Sequence, residues 1–188
     1  MMLKKTRGYI LLTLLVLTGF AGQVSNQTIS STERSLLVTQ LKTTKAALLQ
    51  SLSGLSDKQL TFRPAKGTRS IAEELLWLEA SQKQCIATVD AAVTKSSGPA
   101  PCLFLSSDLA KSASVTTSAK ELPDRIKNTE AYLVKYAKTT TENLHAHPVQ
   151  TPAGTIDAYQ ALLQLPILTQ NCLTHIENLR KDRQFPRL

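Results

Sequence analysis

Ser70-Ile71-Ala72-Glu73-Glu74-Leu75-Leu76-Trp77-Leu78 reads as the opening of a long helix. Ser70 and Glu73 stand at the spacing of a capping box, in which each side chain satisfies a backbone N–H that the first helical turn leaves open. Ile71, Leu75, Leu78, Cys85 and Val89 then fall on one face, and Gln82 completes the seam. The pattern predicts a helix to about Val93.

The same signals recur on both sides of it. Upstream, Ser30 and Glu33 form a capping box, Leu37, Leu41, Leu48 and Leu52 follow at helical spacing, and Gly54 is a natural C-terminal stop. Leu55, Leu60 and Phe62 lie in the turn-rich link and are expected to plug one end of a bundle. Pro64, Gly67 and Thr68 mark a loop. Downstream, residues 95–117 are rich in Ser, Pro, Gly and Ala, with Cys102, Leu103, Phe104 and Leu105 expected to pin them down. So long a connection suggests a crossover along a bundle rather than a tight hairpin. Ser118 and Glu121 give a third capping box, with Pro123 near the start. Leu122, Ile126, Leu133 and Leu144 form a stripe, with Thr129 and Thr140 between them. After a loop at Pro148, Pro152 and Gly154, Thr155 is the expected cap of a fourth helix. Its stripe is Ala158, Leu162, Leu165, Leu168, Cys172, Ile176 and Leu179, and Pro166 predicts a kink. The fold class is therefore all-α: a four-helix bundle with a long crossover between helices 2 and 3. Antiparallel neighbours are expected at the two short links.

Composition agrees. Only 5% of the 188 residues are aromatic and only 7 are Gly, which favours helices over sheet. Lys4, Lys5 and Arg7 precede an apolar run from Tyr9 to Phe20, and Gly19-Phe20-Ala21 offers a small-residue cleavage site. Residues 1–21 thus read as a secretory signal peptide. The run is shorter than the ~20 residues a membrane span needs, and no Cys follows it to carry a lipid. Residues 22–29 are expected to be a flexible segment and 30–188 the bundle domain. The expected destination is the periplasm or the exterior. The signal segment holds three positive charges and no acid, so the remainder carries +5 of the formal +8. Those charges are dispersed, which gives no nucleic-acid footprint. Cys85, Cys102 and Cys172 make an odd count in an oxidising compartment. Cys85 and Cys102 are the expected disulfide, because Cys85 faces inward and the crossover can fold back to it.

From about Glu33 to Pro186 the chain resembles the DinB-like superfamily of four-helix bundles, which includes YfiT-type metal-dependent enzymes. Gly54-Leu55-Ser56-Asp57-Lys58-Gln59-Leu60, Phe62-Arg63-Pro64, Ser70-Ile71-Ala72-Glu73, His147-Pro148 and Gly154-Thr155-Ile156-Asp157-Ala158-Tyr159-Gln160 carry the resemblance in order. It implies three histidines around a divalent metal, one from the second helix and two from the fourth. Residues i and i+4 share a helical face, so two imidazoles there can grip one ion. Here those positions hold Trp77, Leu168 and Cys172. Trp and Leu cannot ligate, and a lone thiolate makes no site. Burying such side chains is favourable by about 1.5–3 kcal/mol each.

The remaining candidates are weaker. His145 and His147 form an HxH pair beside Pro148 with no evident carboxylate or Cys set, and read as structural. Cys172 and His175 stand three apart, a spacing that permits an activated thiolate but lacks a third partner. Trp77, Cys172 and His175 are the candidate pocket. No GxSxG elbow or phosphate loop is present. The first expected function is an exported bundle without metal-dependent catalysis and without a cofactor, binding a small molecule or protein. The resemblance implies pairing into a homodimer. The second is a metal-dependent hydrolase or thiol S-transferase that holds zinc or nickel through altered ligands, Cys172 and His175 among them. An unrelated helical adaptor is a third.

Overall fold

The computed structural model describes residues 28–94, 100–101 and 121–187. The expected signal segment, Cys102 to Leu105 and Ser118 lie outside them.

Helix α1 (Ser31–Leu52) starts on the expected capping box: Glu33 N–H donates to Ser30 Oγ at 3.2 Å, and Ser30 N–H donates to Glu33 Oε2 at 2.8 Å. Leu37, Leu41, Leu48 and Leu52 are buried, and Gly54 takes φ +75°, which only Gly adopts without cost. The link contains a short helix, α2 (Asp57–Leu60), with its own box between Ser56 and Gln59. Leu60 is buried, and Phe62 packs edge-on against Phe185 at 5.4 Å, so the plug closes with the C-terminal tail. Helix α3 (Ile71–Thr94) opens on the Ser70–Glu73 box. Helix α4 (Leu122–Thr139) has Pro in its first turn, and Glu121 at its N-cap makes no side-chain cap bond. Its buried stripe is Leu122, Ile126, Glu130, Leu133 and Ala137, so Glu130 sits where Thr129 was expected. Leu144 lies beyond the helix, in a 3-10 turn over Leu144–Ala146.

The loop expected around Pro148, Pro152 and Gly154 is a β-hairpin. Strand β2 (Pro148–Thr151) pairs antiparallel with β3 (Gly154–Asp157), and β1 (Ala100–Pro101) adds to β2 in parallel. Thr155 is therefore a strand residue. The cap of the next helix is Asp157, whose carboxylate accepts from Gln160 N–H at 2.7 Å. That helix is divided into α5 (Ala158–Leu162) and α6 (Gln164–Lys181). The break follows from Pro166, which has no N–H for the Leu162 carbonyl.

Side-chain contacts fix the helix directions. Arg34, at the start of α1, donates to the Ala137 carbonyl near the end of α4 at 2.9 Å, so these two run antiparallel. Arg180, at the end of α6, donates to the Ser51 carbonyl at the end of α1, so these run parallel. Glu79 pairs with Arg125 near the starts of α3 and α4, and Tyr136 O–H donates to Asp90 near their ends at 2.7 Å. His175, late in α6, reaches the Arg69 carbonyl ahead of α3. The order is up, down, down, up. The principal packing pairs are α1–α4, α1–α6, α3–α4 and α3–α6. The expectation that the short links join packed neighbours is thus corrected: both cross a diagonal. They can do so because each carries structure of its own, α2 in one and the hairpin in the other. Since α3 and α4 run parallel, the end of α3 and the start of α4 lie at opposite ends of the bundle, as the crossover reading requires.

Leu41 is fully buried, whereas Leu36 one turn away is 44% exposed. Leu41→Ala should lower stability by about 2–5 kcal/mol, and Leu36→Ala by no more than about 0.5 kcal/mol. Chemical denaturation of both variants checks the assigned face of α1.

Candidate functional site

Where α3 packs antiparallel on α6, the structure places Leu168 and Cys172 in the hydrophobic core, with Trp77 half-buried against it. Arg69 lies over the Trp77 ring, its guanidinium carbon 5.0 Å from the ring centroid, and its Nε donates to Glu74 at 2.6 Å. Trp77 Nε1–H is buried and has no acceptor. His175 Nε2–H donates to the Arg69 carbonyl at 2.9 Å, which commits that nitrogen to holding the start of α3 rather than to the thiol. Burial pushes the Cys172 thiol well above its ordinary value; Glu74 and Glu130 add to this, and Arg69 opposes it. A thiol so placed is a poor nucleophile near neutrality. Trp77, Cys172 and His175 are thus drawn into one region, with Arg69 and Glu74 as members the sequence reading did not select. Among the described residues no group of three His, Cys, Asp or Glu side chains is arranged to hold a metal ion. Of the three positions that the resemblance singles out, Trp77 and Leu168 carry no side-chain atom that ligates a metal, and Cys172 carries a thiol.

A second polar cluster lies deeper. Gln82 from α3, Glu130 from α4 and Thr169 from α6 are all fully buried. Gln82 Nε2 donates to Glu130 Oε1 at 2.7 Å and to Thr169 Oγ1 at 3.1 Å. Thr169 Oγ1 lies 3.0 Å from the same Glu130 oxygen and 3.1 Å from the Leu165 carbonyl. Glu130 Oε2 and Gln82 Oε1 have no partner. Burial raises the Glu130 carboxyl, against smaller opposing effects of Gln82, Thr169 and Lys45. Gln82 was placed in the seam from sequence. Glu130 was not, although it stands four residues after Ile126 and three before Leu133, which is the spacing of the stripe.

His145 occupies a third site. Its Nδ1 lies 2.9 Å from Asp157 Oδ2 and its Nε2 lies 3.1 Å from Glu33 Oε1. Its ring is 5.1 Å from that of Tyr159, whose hydroxyl donates to the Glu33 carbonyl. Both imidazole nitrogens of His145 thus face carboxylate oxygens. Burial disfavours the charged imidazole, but Asp157 and Glu33 outweigh it and hold His145 above its ordinary value. Glu33 is raised by burial and lowered more strongly by Ser30 and His145, with a net fall. Burial and the same two carboxylates push Tyr159 up to about 12. The group is a clamp between the start of α1 and the entry to α5. Of the expected disulfide, Cys85 lies 3.4 Å from the Ala161 carbonyl, and Cys102 is outside the described residues.

Two outcomes test these assignments. The raised His145 contributes stability that is complete below about pH 6.5 and lost above it; the lowered Glu33 contributes stability that is present above about pH 4.5 and lost below it. The difference in melting temperature between wild type and His145→Ala should therefore be largest between these limits and shrink to either side. A difference independent of pH would remove the clamp's electrostatic role. Separately, Cys172 should resist alkylation in the native protein near neutral pH and react once the chain is denatured. Rapid native labelling, read by peptide mapping, would overturn the thiol assignment.

No family model matches the sequence, and no curated protein matches it. Comparison with solved structures finds YfiT from Bacillus subtilis, described as "a probable metal-dependent hydrolase with an unusual four-helix bundle topology". The match covers 88% of this chain and 94% of that one, with a TM-score of 0.61 and 15% sequence identity. In this chain the helices run up, down, down, up, and the links between them cross diagonals. The chain thus carries a four-helix-bundle fold similar to that of YfiT.

Proposed function

We propose that this chain is an exported binding bundle, of the YfiT-like fold but without metal-dependent catalysis, that takes a small molecule or a protein partner. The observation that carries the reading is the occupancy of the α3–α6 contact by Trp77, Leu168 and Cys172. Two of these offer no ligand atom, and the third is a thiol whose surroundings oppose ionisation. Export rests on the N-terminal charge and apolar pattern. No helix among the described residues is long and apolar enough to cross a membrane, which is compatible with release after cleavage.

The purified mature protein should carry less than one equivalent of zinc or nickel, and its melting temperature should not move with either metal or with chelator. Stoichiometric metal that is lost in Cys172→Ala would sink this reading. It would favour the hydrolase or thiol S-transferase alternative built on Cys172 and His175.

A further inference from the structure

Glu74, Glu79 and Glu130 are the buried acids of the described residues. Glu74 faces Arg69, and Glu79 faces Arg125 and Lys83. Glu130, with no exposed surface, forms no ion pair. One oxygen takes the amide of Gln82 and the hydroxyl of Thr169, and the other takes nothing. A carboxylate there would leave two acceptors, Glu130 Oε2 and Gln82 Oε1, without a protein donor in the bundle interior. Burying an unpaired charge is among the costliest arrangements a fold can contain.

We propose that Glu130 is carried as a neutral acid and works as a proton latch on α3, α4 and α6, tight with the proton on and loosened when rising pH removes it. The proton comes from solvent and rests on Oε2. The two unmatched acceptors then become one donor and one acceptor, and no net charge remains. Of the groups facing the site, the uncharged amide of Gln82 comes from α3, and the Thr169 hydroxyl and the buried Cys172 thiol, held neutral chiefly by its burial, come from α6. From α1 only Lys45 acts on it, through space and against burial, without closing an ion pair. Gln82, Thr169 and Lys45 each favour the ionised form, and burial outweighs all three. Because the folded carboxyl holds its proton more tightly than the unfolded one, the latch contributes stability that is complete below about pH 4.5 and is lost as pH rises through the folded value. The inference rests on the core network and is independent of the ligand-binding reading.

Melting curves of the wild type and Glu130→Gln, taken on the mature chain from about pH 5 to about pH 9, test it. The amide keeps the shape and cannot ionise. The wild type should lose more stability than Glu130→Gln as pH rises, and the two should converge in acid. Equal alkaline losses, or a variant weakened equally at every pH, would overturn the latch. If Glu130→Gln does not fold, the infrared carbonyl band of a protonated carboxylic acid in the wild type near neutral pH decides instead. Its presence supports the latch and its absence refutes it, since exposed carboxylates are ionised there.

Discussion

Three helices meet on one oxygen atom. Glu130 Oε1 of α4 receives the amide of Gln82 from α3 and lies 3.0 Å from the hydroxyl of Thr169 of α6. Hydrogen bonds are directional, whereas contacts among leucines tolerate sliding. A shift of any of the three helices by one residue would take at least one partner from a fully buried acid. The apolar faces around it, including Ile126 and Leu133 on α4 and Leu165 and Leu168 on α6, are thereby held in one register. Helix α1 completes the ring with leucines alone, and its ends are fixed from outside by Arg34, Arg180 and the His145 clamp.

The rest of the polar design follows from where α3 sits. It packs on α4 and α6 and against the small sheet, so most of its circumference is enclosed. Residues that would be solvated on another helix are forced inward. Glu74 and Glu79 are tolerated because each sits at a seam that an arginine can reach from the exposed side; the side chains of Arg69 and Arg125 keep 42% and 37% of their exposure. The long alkyl stems cover the seam while the guanidinium answers the carboxylate. Charged partners at the rim and a neutral cluster at the centre is the ordering expected as the cost of burying charge increases inward.

Much of this was legible in the chain, for local reasons. The boxes at Ser30 and Ser70, the stop at Gly54 and the break near Pro166 depend on residues within one turn of each other, so spacing alone reveals them. The hairpin at Pro148–Asp157 was not legible as sheet, because β2 gains its third strand from Ala100–Pro101, far away in sequence. The diagonal links were missed because loop length bounds a distance but gives no direction. Glu130 was passed over for Thr129 because an acid at a stripe position reads as an error in the stripe. Its meaning emerges only when Gln82 and Thr169, brought from two other helices, are placed around it.

The two buried features of the α3–α6 face bear on one another. A divalent cation held there would add positive charge beside Cys172 and Glu130 and draw both toward their ionised forms. Trp77 and Leu168 supply no ligand atom for such an ion and make this face apolar, which removes an influence that would keep an acid charged. Under the proposed reading, apolar filling of this face and protonation of Glu130 are therefore a single physical change. The same low polarity that leaves the thiol of Cys172 unreactive makes a neutral carboxyl the form of Glu130 that the fold can accommodate.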